Sequence, residues 1–473
     1  MSVTNSLPLF DEIPFTRIHF IAVCGVAMAS VAAELHRAGF VVTGSDTGFY
    51  PPMGTFLEEQ GVKTLQGFDP SHLPDDGLIV VGNAVSRGNV ELEAALSLGL
   101  QLISLSDLVA RRHIGRRKSA VVTGTHGKTT TTSMLAHILR SAGRDPGWMI
   151  GGIPQDLPVP CRLGKGNEFV IEGDEYDVVY YDKRPKFLLY KPFYAIINGI
   201  EFDHADIYQD LDAIELQFRR FVRLIPRNGC LVVNGDDPLA MSISKEAFCK
   251  VITFGLGKNC NYRMQSSRES VTNYKLVTED ETSNISVQLP GEHNMKNGVA
   301  AIALACEIGV QKEVALRALA NFRGVARRLE LVVDTDKLKI YDDFAHHPTA
   351  INGTLSAIKL KHPNHSLWAI LEPRSNTMVR NFHSTEITEA LSIADHVIIG
   401  KLHRLDSVPI HQRLDRNAIQ SNLESAGVGT FSSDIVDDTV DFFIRNRTGK
   451  DVIVMMSNGG FDGIREKFIK RVS

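Results

Sequence analysis

The stretch VVTGTHGKTTTTSMLAHIL, residues 121–139, leads a β-branched run into a helical pattern through a turn holding Gly124, Gly127, Lys128 and Thr129. Strand, glycine-bearing turn and helix in that order commit this part of the chain to α/β architecture. Such a turn points successive backbone N–H groups at one spot, and the helix N-terminus adds about half a positive charge, so the arrangement suits phosphate. Lys128 would then neutralise β- and γ-phosphate charge while the Thr129 hydroxyl reaches Mg²⁺. The usual spacing, G-x-x-x-x-G-K-[ST], asks for glycine at 122; this chain has Val122 there and carries its glycine at 124.

Strand-led units repeat on both sides of this loop. From Arg17, RIHFIAVCGVAMASVAAELHRAGFVVTGSD reads as an apolar strand, a tight turn, an Ala-rich helix and a second strand ending at Asp46. Further strands at 77–85 and 101–109 argue for a parallel sheet. The charged run RRHIGRRK, 111–118, marks a connection between compact units. Strands are expected again at 193–200 and 229–237, with an amphipathic helix in HNMKNGVAAIALACEIG, and a third alternation opens with LKIYDDF, LWAILEP, DHVIIG and DVIVMMSNGG. We therefore expect three α/β domains: Rossmann-like over 1–116, a central phosphate-loop ATPase-like domain over 117–328, and a second Rossmann-like domain over 329–473. The length of 473 residues agrees, at roughly 150 residues per domain.

Composition narrows the class. Hydrophobic residues make up 43% and charged residues 22%, which excludes wholesale disorder, and a net charge of -4 argues against a nucleic-acid coating role. The six cysteines, no two closer than eleven positions, offer no CxxC spacing and are expected as buried free thiols. The opening MSVTNSLPLFDEIPFT lacks the basic and apolar regions of a signal peptide, and no apolar run reaches membrane-spanning length. A cytoplasmic enzyme is expected, without membrane or nucleic-acid partners, as a monomer or weak homodimer.

A hard cation bridging phosphates needs oxygen ligands. FVIEGDEYD, 169–177, supplies Glu172, Asp174, Glu175 and Asp177 directly after a strand, although such a cluster can also be a solvated loop. NGIEFDHADIY adds Asn198, Asp203 and His204 at another strand end.

Together these residues resemble the Mur ligase family, ATP-dependent enzymes that join amino acids or peptides to UDP-N-acetylmuramate. The family's loop is similar to GTHGKT at 124–129, its strand-end glutamate to Glu172, and its Asp-His pair to Asp203 and His204. Its H-N-x-x-N segment resembles EHNMKN, its arginine Arg328 in ARRLE, and its aspartate Asp343 in YDDFAHHPT. DDFAHHPTA resembles the branch that starts from UDP-N-acetylmuramate itself. LEPRSNTM, EYDVVYYDKRPKF and MSNGGF resemble the members that attach the salvaged tripeptide L-alanyl-γ-D-glutamyl-meso-diaminopimelate, with the L-alanine-adding members as the alternative.

The resemblance implies transfer of the ATP γ-phosphoryl to the muramoyl carboxylate, then attack by the peptide amine, with ATP and Mg²⁺ required. It places Gly124, Thr125, His126, Gly127, Lys128, Thr129 and Thr130 around the phosphates, Thr129 and Glu172 on one Mg²⁺, and His204 on a second metal. Asn294 and Asn297 would contact adenine, unless they only cap their helix, and Arg328 and Asp343 would reach ATP on domain closure, with His346 and His347 nearby. Gly25, Asp46, Ser86 and Asn89 would bind the UDP-sugar, and Arg374 with Asn376 the peptide. Two positions depart from the family. The first turn keeps only Gly25, with Ala22, Ala27, Ala29 and Ser30 around it, and no lysine lies between Lys191 and Lys245 to act as the carbamylated lysine some members carry. Two other classes fit parts of the chain: a nicotinamide oxidoreductase, with Asp46 as ribose-binding acid, and a regulatory ATPase that forms no bond.

Overall fold

The computed structural model describes residues 15–49, 52–266, 270–403 and 405–472, so the N-terminal stretch that the leader expectation concerns lies mostly outside the described residues. The chain divides into two compact units, the first formed by 1–201, 211–263 and 299–319, the second by 202–210, 264–298 and 320–473.

The first unit contains two sheets. Strands β1 (Arg17–Ile21), β2 (Val41–Asp46), β3 (Lys63–Gln66), β4 (Leu78–Val81) and β5 (Gln101–Ser104) are parallel in the order β3-β2-β1-β4-β5, the Rossmann-type arrangement expected from the βαβ pattern. The expected strand at 101–109 stops at Ser104. There the Oγ accepts from the Asp107 N–H and caps a helical turn over Leu105–Leu108, a local bond that competes with extended structure.

The second sheet of this unit is built on β6 (Lys118–Thr123), with β7 (Gly147–Met149), β8 (Cys161–Arg162), β9 (Glu168–Gly173), β12 (Pro192–Ile197), β13 (Cys230–Asn234) and β14 (Lys250–Gly255). It runs β14-β13-β12-β6-β9-β7-β8, parallel except for the last pair. A hairpin of β10 (Asp177–Val179) and β11 (Asp182–Pro185) packs Val178 and Val179 against Ile21, Ile79 and Val81. The EYDVVYYDKRPKF stretch thus fastens the two sheets of this unit together by apolar burial. After β15 (Tyr262–Ser266), β16 (Asn273–Val277) and β17 (Thr282–Ser286) form an antiparallel hairpin in the second unit.

The second unit's main sheet comprises β18 (Glu330–Asp334), β19 (Leu338–Asp343), β20 (Ser366–Leu371), β21 (His396–Ile399), β22 (Gly429–Ser432) and β23 (Asp451–Met456). Its order is β18-β19-β23-β20-β21-β22, with only β18 antiparallel. Along β20, Leu367, Ala369 and Leu371 enter one apolar cluster and Trp368 and Ile370 the other. Burial of both faces is what makes the strand a continuous apolar run.

Cys161 and Cys230 are buried and the other four thiols half-buried, and none forms a disulfide among the described residues. Burial pushes Cys230 up to about 12, which keeps it protonated and inert. No helix among the described residues is long and apolar enough to cross a membrane.

Candidate active site

The phosphate loop begins where β6 ends. Gly124 has φ +122°, and a Cβ there would come within 2.8 Å of Gly199 O, so the loop and the end of β12 need that glycine to sit together. Thr125 N–H donates to Gly199 O at 2.8 Å, and its hydroxyl accepts from Glu201 N–H at 2.8 Å. Asn198 Nδ2 donates to His126 O and to Thr131 Oγ1, and His126 Nε2 lies 3.1 Å from Glu201 Oε2. Gly127 takes the left-handed conformation, φ +77°, and begins the helix Lys128–Ser141 with no side-chain cap. No side chain occupies this helix N-terminus as a cap, which suits a place where phosphate is to be met.

Lys128 arches back over this loop. Its Nζ donates to Gly124 O at 2.8 Å and to buried Glu175 at 2.8 Å. Thr129 Oγ1 donates to Glu172 Oε2 at 3.0 Å, and the other Glu172 oxygen accepts from Gly151 N–H. Thr130 is buried in the same turn. The acidic cluster is therefore divided: Glu172 and Glu175 face the loop, whereas Asp174 pairs with Lys186 and Asp177 with Lys183. A hydroxyl and a carboxylate this close are the hard oxygen donors that Mg²⁺ takes, so the residues fit the metal.

On the first sheet, Gly25 begins the helix Val26–Arg37 without a side-chain cap, and a Cβ on it would meet nothing within 4 Å. Ala22 is held at φ +64°, a conformation glycine adopts more readily. Asp46 is committed to the backbone: Oδ2 accepts from Cys24 N–H at 2.8 Å and Oδ1 from Thr47 N–H at 2.7 Å. Asn89 Oδ1 caps Val90–Ser97 through Glu91 N–H and Leu92 N–H, and Ser86 is exposed.

In the second unit, Asp203 is buried and accepts from Thr377 Oγ1 and from His204 N–H, both at 2.7 Å. Burial opposes its ionisation, but His204 and His346 outweigh that and hold the carboxyl far below the usual range. His204 has φ +57°. Asn294 and Asn297 are buried in the first turns of Glu292–Glu307, and Asn294 Nδ2 ties back to Pro290 O at 2.9 Å.

Asp343 ends β19 with both oxygens engaged, by Leu329 N–H at 2.6 Å and Ala345 N–H at 2.8 Å. Burial pushes its carboxyl up to about 6 against the pull of Arg328, whose guanidinium lies 4.3 Å from the Phe344 ring centre. Arg327 and Leu329, on either side of Arg328, both have positive φ, so the strap is held by its contacts rather than by backbone preference. His346 Nδ1 bonds Phe344 O, and His347 caps the helix Pro348–Lys361.

The LEPRSN and SNGG segments meet. Arg374 lies across Gly459, and buried Glu372 is 2.7 Å from His403 Nε2, accepts from Ser457 Oγ, and is 3.7 Å from Arg374. Arg327 donates to Ser457 O and Gly459 O. Asn376 is half-buried beside them in sequence. Glu372, His403 and Ser457 were not singled out by sequence; a glutamate two positions before an arginine at a strand end was the available signal.

Residues 17–113 match the family described as Mur ligase family, catalytic domain, 122–305 the Mur ligase middle domain, and 327–459 the Mur ligase, glutamate ligase domain. The UDP-N-acetylmuramate–L-alanyl-γ-D-glutamyl-meso-2,6-diaminoheptandioate ligase of Escherichia coli K12 is 38% identical over 96% of this chain and 97% of its own length. The UDP-N-acetylmuramate–L-alanine ligase of Acetivibrio thermocellus is 32% identical over 98% of each chain. The crystal structure of a murein peptide ligase from Psychrobacter arcticus 273-4 superposes with a TM-score of 0.74 at 35% identity, covering 96% of this chain and 98% of that one.

Proposed function

The chain belongs to the Mur ligase family of ATP-dependent ligases, and we propose that it joins L-alanyl-γ-D-glutamyl-meso-diaminopimelate to UDP-N-acetylmuramate, returning salvaged peptide to cell-wall synthesis in the cytoplasm. The observation that carries this acceptor over L-alanine is the 38% identity to the tripeptide ligase across 96% of the chain, against 32% for the alanine ligase. The uncapped helix at Lys128 supports phosphate binding, and the first turn lacks the glycines that the oxidoreductase reading needs.

In the reaction a muramoyl carboxylate oxygen takes the γ-phosphoryl of ATP and ADP leaves. The peptide's α-amine then attacks the acyl carbon, the C–O bond to phosphate breaks, and the amine sheds its proton to water. Negative charge concentrates in both steps, so the chain's contribution is positional and electrostatic. Lys128 and the N–H groups from Gly127 onward hold the phosphates. Thr129 and Glu172 would hold Mg²⁺, which neutralises phosphate charge. Asp203 accepts from the His204 N–H, and His204 would hold a second metal. By the family resemblance Asn294, Asn297, Arg328 and Asp343 would contact the nucleotide, and Asp343 also fixes its own strap through the Leu329 N–H. Gly25 leaves room for the UDP diphosphate at a helix N-terminus, while Asp46 and Asn89 shape the turns around it. Arg374 offers a planar fork to a peptide carboxylate, with Asn376 beside it.

Phosphate release measured with ATP, UDP-N-acetylmuramate and either the tripeptide or L-alanine tests the reading. Tripeptide-dependent release is expected; release driven by L-alanine alone, or by ATP without any sugar, overturns it.

A further inference from the structure

The run RRHIGRRK takes no part in the chemistry above, yet it lines a cavity of about 540 Å³ in the first unit. Arg111, Arg112, Arg116, Lys118, Arg144 and Lys165 face it, and Arg117 joins them; Glu168 is the only carboxylate in the lining. Glu168 is already taken up by Arg144, whose second nitrogen donates to Ile308 O. The side chains of Arg116 and Lys165 have no hydrogen-bond or ion-pair partner among the described residues, and Arg112 Nε is buried without one. A concave site lined by one sign of charge concentrates counter-ions of the other.

The walls are fixed rather than loose. Arg117 donates to His113 O, Gly164 O and Gly166 O, which binds the turn before β6 to the loop before β9. The turn itself, Val109–Ile114, closes with an i to i+5 hydrogen bond from Gly115 N–H to Ala110 O at 3.1 Å, a geometry that recurs at ligand sites. The opposite loop is held by Gly166 N–H on Asp145 O at 2.8 Å. Lys118, which starts β6, borders the cavity, whereas the phosphate loop follows Thr123 at the other end of that strand. The two places are separated by about 17 Å of strand.

We propose that this cavity is a second anion site, binding a small molecule that carries two or more phosphate charges. Guanidinium forks suit phosphate oxygens, and the volume lies within the usual range for small-ligand pockets, about 300–1,000 Å³. The site lies at the N-terminal ends of the parallel strands, away from the carboxyl ends where the reaction is carried out, so its occupant is neither ATP nor the UDP-sugar of the reaction. The inference does not rest on the identity of the amine acceptor.

Calorimetric titration of the full-length Lys128→Ala variant, saturated with UDP-N-acetylmuramate, with inorganic tripolyphosphate, and separately with GDP, tests it, because that background weakens the phosphate loop and the sugar nucleotide fills the diphosphate site at Gly25. One saturable site per chain is expected to remain, and adding Arg116→Gln with Lys165→Gln should weaken it at least tenfold. Tighter GDP binding makes the ligand a nucleotide, and equal binding makes it an inorganic or simple phosphate ester. The double variant in the otherwise unchanged enzyme should melt at the same temperature and keep its kcat. Loss of all binding in Lys128→Ala, or an undiminished affinity after the two glutamine substitutions, overturns the proposal.

Discussion

Arg374 lies flat across Gly459, so close that a Cβ at 459 would stand 2.5 Å from Arg374 Cδ. A glycine in the C-terminal SNGG segment therefore decides where an arginine on another strand end can point. Gly459→Ala should displace the guanidinium while leaving the phosphate loop intact. We expect the peptide KM to rise about tenfold, the size of one displaced charge-assisted bond at roughly 1.4 kcal/mol, with the ATP KM unchanged. Arg374→Ala should raise it at least as much. An unchanged peptide KM in both variants removes Arg374 from the acceptor site.

Lys128 ties the loop carbonyl of Gly124 to the carboxylate of Glu175. Its removal takes away the charge that phosphoryl transfer develops against. By comparison with deleting a positioned donor, Lys128→Ala should lower kcat about 10²-fold or more. Steady-state turnover near that of the unsubstituted enzyme would end the phosphate assignment.

Thr129→Val keeps the volume of the side chain and removes the hydroxyl that meets Glu172 at 3.0 Å. If these two oxygens hold Mg²⁺, the concentration of metal needed for half-maximal activity should rise about tenfold or more, the scale on which ligand-shell changes act. A metal titration of activity that superposes on the unsubstituted enzyme would show the pair to be structural.

The sequence was most readable where chemistry forces local geometry. Gly124, Gly127, Lys128 and Thr129 lie within six positions, so their shared loop follows from order alone, and Glu172 follows because β6 and β9 pair with Val122 opposite Glu172. Asp46 and Asn89 lie at strand ends where a substrate contact is expected, but backbone donors there also need partners, and a short oxygen-bearing side chain serves either use. The cluster of Glu372, His403, Ser457 and Arg327 was hidden for a different reason. Its members come from four separate segments, and only the pairing of β20 with β23 brings Leu371 beside Met456 and hence Glu372 beside Ser457. The basic cavity was visible as a charged run but read as a connection, because the loop at 164–166 that completes it carries no pattern of its own.

Asp343 gives a signed pH dependence. Its folded carboxyl titrates at about 6, above the unfolded value of 3.8, because burial outweighs Arg328. Between those values the folded chain binds the extra proton, so this group's contribution to stability is greatest below pH 4 and declines as pH rises to about 6. Asp343→Asn cannot titrate. The stability of the unsubstituted protein relative to Asp343→Asn, from denaturant unfolding, should therefore fall as pH goes from 4 to 6 and level off above. A difference that stays flat, or rises, across that window contradicts the buried carboxyl.

Asn89 separates capping from substrate contact. Its Oδ1 accepts from Glu91 N–H at 3.1 Å and Leu92 N–H at 3.0 Å, which satisfies two donors at the start of Val90–Ser97. Losing such a cap costs about 1 kcal/mol, and aspartate replaces asparagine in it with little loss. Asn89→Ala should therefore lower stability by about that amount while Asn89→Asp does not, and neither should raise the KM for UDP-N-acetylmuramate beyond about twofold, since the amide oxygen serves the helix rather than the sugar. A large KM effect in Asn89→Asp with unchanged stability would return the residue to the sugar site, because aspartate preserves the cap and replaces the amide N–H donor by a negative oxygen.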